Sequence, residues 1–303
     1  MNRISFKIQI LTLLVFCYYQ GHSQSKDTLV DVGPYKLNFR IIEGQGTPIL
    51  FESGSGNDGS VWKDIIQPIA DITGTTIITY DRAGLGKSQI KSNANNPEDH
   101  KILSNVMALE EGLKTLGYDD DIIIVAHSLG GFYTTLFASR NEQKVKSAVF
   151  IDASLASFYT QAFVDKLNGV ISEEFLNKLK ADRIGLYYEI KNIENSLALL
   201  RQTNFPSAIP VIDLVASNPY NPFKNEEDKN RWIEGHHDFV SDHANRALIT
   251  INNANHYAFK DNPEVFTYQV IMAYARTLEA SIAKDILLRA LDFTSKISNS
   301  KED

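Results

Sequence analysis

The chain has 303 residues, 43% of them hydrophobic and 22% charged, with a formal net charge of −7. That length and balance describe a globular protein able to bury its own core without cross-links. The acidic balance, with no basic cluster, argues against nucleic acid or an anionic lipid surface as a partner, and a single cysteine, Cys17, excludes an internal disulfide.

The first residues stand apart from the rest. Arg3 and Lys7 precede the apolar run "IQILTLLVFCYY", and small residues Gly21 and Ser23 follow it. The run is too short for a membrane span of roughly 20 residues, so residues 1–23 read as a secretory signal peptide; a retained N-terminal anchor is the alternative. Its removal takes Arg3, Lys7 and Cys17 with it, leaves a net charge of −9, and predicts an exported protein with no membrane span in its mature form.

From Thr28 the pattern "TLVDVGPYKLNFRIIEGQGTPILFES" predicts three strands separated by turns at Gly33-Pro34 and Gly44–Gly46. "PILFES", "TTIITYD", "DIIIVAHS", "VKSAVFIDAS" and "IPVIDLVAS" are short apolar runs, the pattern of strands buried on both faces. Between them "SVWKDIIQPIA", "LSNVMALEEGLKTLG" and "GGFYTTLFASR" carry apolar residues at helical spacing, the second ended by Gly117. The alternation predicts an α/β architecture, a mostly parallel, doubly wound sheet. Residues 155–206 break the rhythm, because "FYTQAFVDKLNGV", "SEEFLNKLKADRIGLYYEI" and "KNIENSLALLRQ" all read as helix. This stretch is too long for a simple crossover and predicts a helical cap inserted between two late strands, with the core formed by residues 24–154 and 207–303. "ALITINNANH" is the last strand, a C-terminal helical region begins at Pro263, and "TSKISNSKED" is expected to fray.

The most informative stretch is Ala126-His127-Ser128-Leu129-Gly130-Gly131. A sharp turn from a buried strand into a helix leaves room only for small residues two positions either side of its apex, which is the physical reason for the G-x-S-x-G pattern that lifts a serine hydroxyl above a sheet edge. Ala126 stands where the first glycine is usual, and His127 takes the variable position. Among seven histidines, His256 follows the last strand, at the sheet end where ligand crevices form, so it is the candidate general base for Ser128. The N–H of Leu129 and one from the glycine-rich loop "SGSGNDGS", with Ser55 as the candidate, would hold a developing oxyanion.

"ILFESGSGNDGSVW", "YDRAGLGKS", "VAHSLGG" and "NANHYAFKDNPE", in this order, resemble the α/β-hydrolase superfamily, serine-nucleophile branch, from about Val32 to Ala275. The resemblance implies an oxyanion loop, a nucleophile elbow, a histidine loop and, in the helical insert, the family's variable cap. It also implies a serine hydrolase of the esterase, lipase or aminopeptidase kind, acting without cofactor or metal on a small ester or amide. The pattern departs at the acid: where the family usually places Asp or Glu, after "IPVIDLVAS", this chain has Asn218. Asp152, ending "AVFIDAS", is the first candidate; Asp238 and Asp242 are alternatives, and Asp213, mid-strand, is expected to point into packing. Tyr187, Tyr188, Phe158, Tyr159 and Phe163 are candidates for pocket lining. Glu173, Glu174 and Glu189 could anchor a substrate amine. His236, His237, Asp238, Asp242 and His243 lack metal-ligand spacing and read as a solvated polar helix. A catalytically silent binding protein, a cofactor-free haloperoxidase and a carbon–carbon bond hydrolase stay open as other uses of the fold.

Overall fold

The computed structural model describes residues 25–94 and 96–300; the predicted leader and Cys17 lie outside them. Among the described residues nine strands form one sheet: β1 (Lys26–Asp31), β2 (Tyr35–Ile42), β3 (Ile49–Glu52), β4 (Ile77–Asp81), β5 (Gln89–Ile90), β6 (Ile122–His127), β7 (Val145–Ile151), β8 (Val211–Asn218) and β9 (Arg246–Asn255). Their spatial order is β1-β2-β4-β3-β6-β7-β8-β9, with β5 paired to β2. The pairings from β4 through β9 are parallel, and β1, β2 and β5 add an antiparallel edge.

Helices cover both faces: α1 (Lys63–Thr73), α2 (Ile102–Leu116), α3 (Gly130–Arg140), α4 (Gln161–Val170), α5 (Glu173–Asp182), α6 (Ile184–Lys191), α7 (Ile193–Leu200), α8 (Glu226–Ser241), α9 (Ala258–Asp261), α10 (Pro263–Ala275) and α11 (Ala280–Ser300). Alternate residues of each strand face opposite sides, and the two cores divide accordingly. Leu50, Ile78, Ile124 and Phe150 join α2, α3 and α8 on one face. Phe51, Ile77, Val125 and Val149 join α1, α10 and α11 on the other. Strands β3, β4 and β6 are buried along their whole length, which is why they read as dense apolar runs rather than an alternating pattern.

Four helices, α4 to α7, occupy the interval between β7 and β8. Ser172 caps the start of α5, its hydroxyl accepting from Phe175 N–H. The stretch "SEEFLNKLKADRIGLYYEI" is two helices rather than one, broken at Arg183, whose backbone leaves helical geometry at φ −146°. The C-terminal region is also two helices, α10 and α11, and α11 continues to Ser300 where fraying was expected from Thr294. None of the described helices is long and apolar enough to cross a membrane.

Helix α3 lies so close to neighbouring backbone that its first residues must be glycine. A Cβ on Gly130 would stand 2.6 Å from the Glu52 carbonyl oxygen, and one on Gly131 would stand 2.6 Å from that of Ser154. Gly130→Ala is therefore expected to destabilise the fold by about 1–3 kcal/mol, measured by chemical denaturation. An unchanged midpoint would contradict this packing.

Candidate active site

Four strand ends converge at the carboxyl edge of the sheet, where open α/β sheets hold ligands. β3 leads into the loop from Ser53, β6 into Ser128, β7 into Asp152, and β9 into His256. Ser128 sits in the left-handed region at φ +52° and Asp152 at φ +44°. A non-glycine residue costs of order 1–3 kcal/mol in such a conformation, so both turns depend on their surroundings. Ser128 C=O accepts from Gly131 N–H at 2.9 Å and from Ser154 N–H at 2.7 Å, locking the bend.

The three side chains form one hydrogen-bonded line. His256 Nδ1 lies 2.5 Å from Asp152 Oδ2, and His256 Nε2 lies 2.8 Å from Ser128 Oγ. An ionised carboxylate only accepts, so Nδ1–H donates to Asp152 and Nε2 is left to accept the serine proton. Asp152 also accepts from Ala216 N–H (3.1 Å), Tyr220 N–H (3.2 Å) and Trp232 Nε1–H (3.0 Å). Four donors converge on one fully buried carboxylate, so its acceptor capacity is met inside the protein.

With both His256 nitrogens occupied, the other candidate acids stand elsewhere. Asp238 lines a separate groove with Phe132, Thr135 and Phe205, and Asp242 is exposed just beyond α8. Asp213 is fully buried, with Oδ2 2.8 Å from His236 Nδ1. The expectation of a solvated polar helix thus fails for His236, which is 1% exposed. Burial works against its charge, but the Asp213 carboxylate outweighs that and raises its pKa. Asn218 Oδ1 accepts from Lys229 Nζ at 3.4 Å.

Ser55, Ser128 and Leu129 line a cavity of about 290 Å³ closed largely by apolar side chains from the insert, among them Val164, Leu167, Ile171 and Ile193. Leu129 N–H opens helix α3, where the first N–H groups lack intrahelical acceptors. The opposing loop passes hard against the elbow: a Cβ on Gly54 would stand 3.1 Å from Ser128 Cβ and 2.8 Å from His127 Nδ1. Asp81 braces this loop by accepting Gly59 N–H at 2.8 Å while also accepting Lys87 N–H at 2.8 Å. Of the aromatic candidates, Tyr159 lines the cavity, its hydroxyl 3.1 Å from that of Ser154. Phe158 and Phe163 are packed in the core, and Tyr188 instead stacks on His100 at 3.6 Å.

Sequence reasoning missed a buried ionic cluster behind the site. Arg82 and Glu52 pair at 2.5 Å, Arg82 and Glu189 at 2.9 Å, and Tyr80 O–H donates to Glu52. Burial disfavours the guanidinium charge, but Glu189 and Glu52 more than offset it, and Arg82 stays protonated. The available signal was a charged residue at the end of each of two fully buried strands, Glu52 in "PILFES" and Arg82 just after "TTIITYD".

His127, at the variable position of the elbow, is fully buried. Its Nε2–H donates to the His256 carbonyl at 2.8 Å, its ring lies edge-on to Trp62, and Nδ1 has no hydrogen-bond partner among the described residues. Burial, aided by His256, drives its pKa well below the usual imidazole value. It is neutral when folded and takes up a proton below about pH 6.5 when unfolded, so this contribution to stability is present above that pH and is lost as pH falls. His127→Gln keeps an N–H donor and removes the linkage. The variant's stability deficit is expected to shrink as pH falls below about 6.5, by up to about 1.4 kcal/mol per unit. Denaturation curves across pH measure it; a deficit independent of pH would contradict a neutral buried imidazole.

Comparison with known proteins agrees with this architecture. The sequence model of the family described as "alpha/beta hydrolase fold" matches residues 47–190. The uncharacterized protein YqjL of Bacillus subtilis is 28% identical over 222 residues, 73% of this chain and 80% of that protein. The uncharacterized protein C23C11.06c of Schizosaccharomyces pombe is 26% identical over 257 residues, covering 72% of this chain but only 46% of that protein. Among solved structures, a serine hydrolase from the polyaromatic hydrocarbon-degrading bacterium Cycloclasticus zankles superposes with a TM-score of 0.59 at 16% identity, over 82% of this chain and 96% of its own. Strand order, the likeness to solved structures and the partial match of the sequence model converge: the chain has the α/β-hydrolase fold.

Proposed function

We propose that the protein is a serine hydrolase that cleaves a small ester or amide through an acyl-enzyme. The observation that carries this reading is the unbroken line from Asp152 through His256 to Ser128, with separations of 2.5 and 2.8 Å. Ser128 Oγ attacks the substrate carbonyl while His256 Nε2 takes its proton. Asp152 holds the imidazole in the accepting tautomer and stabilises the imidazolium that forms. The N–H groups of Ser55 and Leu129 receive the oxyanion. His256 then protonates the leaving group, and water repeats the sequence on the acyl-enzyme. Removal of residues 1–23 would place this activity outside the cytoplasm.

The cavity narrows the substrate. Half of its lining residues are Leu, Ile, Val or Phe, and at about 290 Å³ it holds about ten non-hydrogen atoms if each takes roughly the 30 Å³ of a liquid water. Glu189 is a carboxylate on its wall, but its two oxygens already accept from Ser55 Oγ, Gly56 N–H and Arg82. That saturation favours an uncharged acyl group over an amino-acid substrate that would need an ammonium anchor.

The test is a series of p-nitrophenyl esters of rising acyl length beside amino-acid arylamides. Turnover is expected to peak at about four to eight acyl carbons, given room for about ten heavy atoms, and the arylamides are expected to be poor substrates. Faster turnover of arylamides would overturn the acyl assignment. Ser128→Ala should lower kcat by about 10⁴–10⁶. Asp152→Asn should lower it by about 10⁴ with the fold retained, because Asn still offers one acceptor oxygen to the surrounding donors. Near-normal turnover in either variant contradicts the proposed mechanism.

A further inference from the structure

Glu189 lies on α6, outside the hydrogen-bonded line of Ser128, His256 and Asp152, and its side chain is 6% exposed. Its Oε2 accepts from Ser55 Oγ and from Gly56 N–H, each at 2.8 Å. Its Oε1 accepts from Arg82 Nε at 3.0 Å. Arg82 in turn donates through Nη1 to Glu52 Oε1 and to the Ser53 carbonyl at 2.6 Å, and through Nη2 to the Gly54 carbonyl at 2.6 Å. One carboxylate and one guanidinium thus touch five consecutive residues, Glu52 to Gly56. A second strut comes from the same part of the insert: Arg183 Nη2 donates to the Gly56 carbonyl at 2.7 Å.

Charge-assisted hydrogen bonds are short and directional, and the Glu189 and Arg82 side chains that make them are buried while Ser55 lies exposed. They matter here because residues 53–56 are rich in glycine and serine and have little side-chain packing of their own to fix the backbone. The loop's shape is then borrowed from an element that arrives more than a hundred residues later in the chain. With its acceptor sites occupied, Glu189 is not arranged to bind a substrate cation, although it lines the cavity.

We propose that Glu189, bonded directly to Ser55 and Gly56 and paired with Arg82, is a positioning residue that aims the Ser55 N–H at the substrate carbonyl, so that seating of the helical insert and competence of the oxyanion hole form one equilibrium. This rests on the serine-hydrolase reading of the same site. It differs from a purely structural role, in which Glu189 would only anchor the insert and its loss would weaken the fold or the acyl pocket.

The test compares the unsubstituted protein with Glu189→Ala and Glu189→Gln, using p-nitrophenyl butanoate kinetics, thermal denaturation and hydrogen exchange of the segment 53–60. Arg82 keeps Glu52 and two carbonyl partners in Glu189→Ala, so no buried cation is orphaned. If that variant still fails to fold, Glu189→Gln, which retains size and one acceptor oxygen, carries the comparison. A misplacement of about 1 Å costs about 10² in rate, so kcat is expected to fall by about 10² in Glu189→Ala with KM little changed. Glu189→Gln should lie between, and residues 53–60 should lose exchange protection in step with kcat. Unchanged kcat, a rise in KM alone, or unchanged protection of the loop overturns the proposal. Should the unsubstituted protein neither turn over esters nor react at Ser128, the hydrolase reading fails separately. Loop protection then decides whether Glu189 orders residues 53–56: lost protection upholds that part, and unchanged protection removes it.

Discussion

Ser128 occupies a left-handed backbone conformation at φ +52°, and the neighbours that hold it there leave no space for a Cβ at Gly54, Gly130 or Gly131. This crowding is the constraint on which the site depends. The strain of the bend, of order 1–3 kcal/mol, is met by two hydrogen bonds to the Ser128 carbonyl and by the packing of α3 against the β3 and β7 ends. The result is a hydroxyl raised over the sheet edge with little freedom to retreat. A looser turn would keep the fold and lose the alignment with His256.

The rest of the site is arranged around that point in layers. His256 is oriented by Asp152, and Asp152 by Ala216, Tyr220 and Trp232. Each layer contributes donors to a buried acceptor, so no charge is left without partners. On the opposite wall the glycine-rich loop after β3 is held by Asp81 from one side and by Arg82 and Glu189 from the other. The first arrangement orients the His256 ring toward Ser128, and the second sets the shape of the loop that faces the elbow. The two meet at His127, whose neutral ring donates to the His256 backbone and packs against the loop at Gly54.

Much of the fold was legible in the sequence because buried parallel strands carry dense apolar segments, and each such segment in β3, β4, β6, β7 and β8 stands out from polar surroundings. Small residues around Ser128 were legible for a steric reason, and His256 because it follows the last strand. What resisted reading was partnership across long separations. Nothing local says that Asp213 faces His236, or that Glu189 on an insert helix reaches Ser55, 134 positions earlier. Asp152 is the first-ranked acid in the sequence, but what separates it from Asp238 and Asp242 is its place between the end of β7, the β8 end and Trp232 of α8. The break at Arg183 escaped because the helical pattern continues through it; the backbone departs there at a position whose guanidinium reaches the Gly56 carbonyl.

The most direct measurement is the mass of the protein after exposure to a fluorophosphonate, with the modified peptide sequenced, on the unsubstituted chain and on His256→Ala. A hydroxyl activated by its imidazole neighbour should give one covalent adduct per chain at Ser128, and little or none when the imidazole is removed. No adduct at Ser128, or equal labelling without His256, would contradict the account.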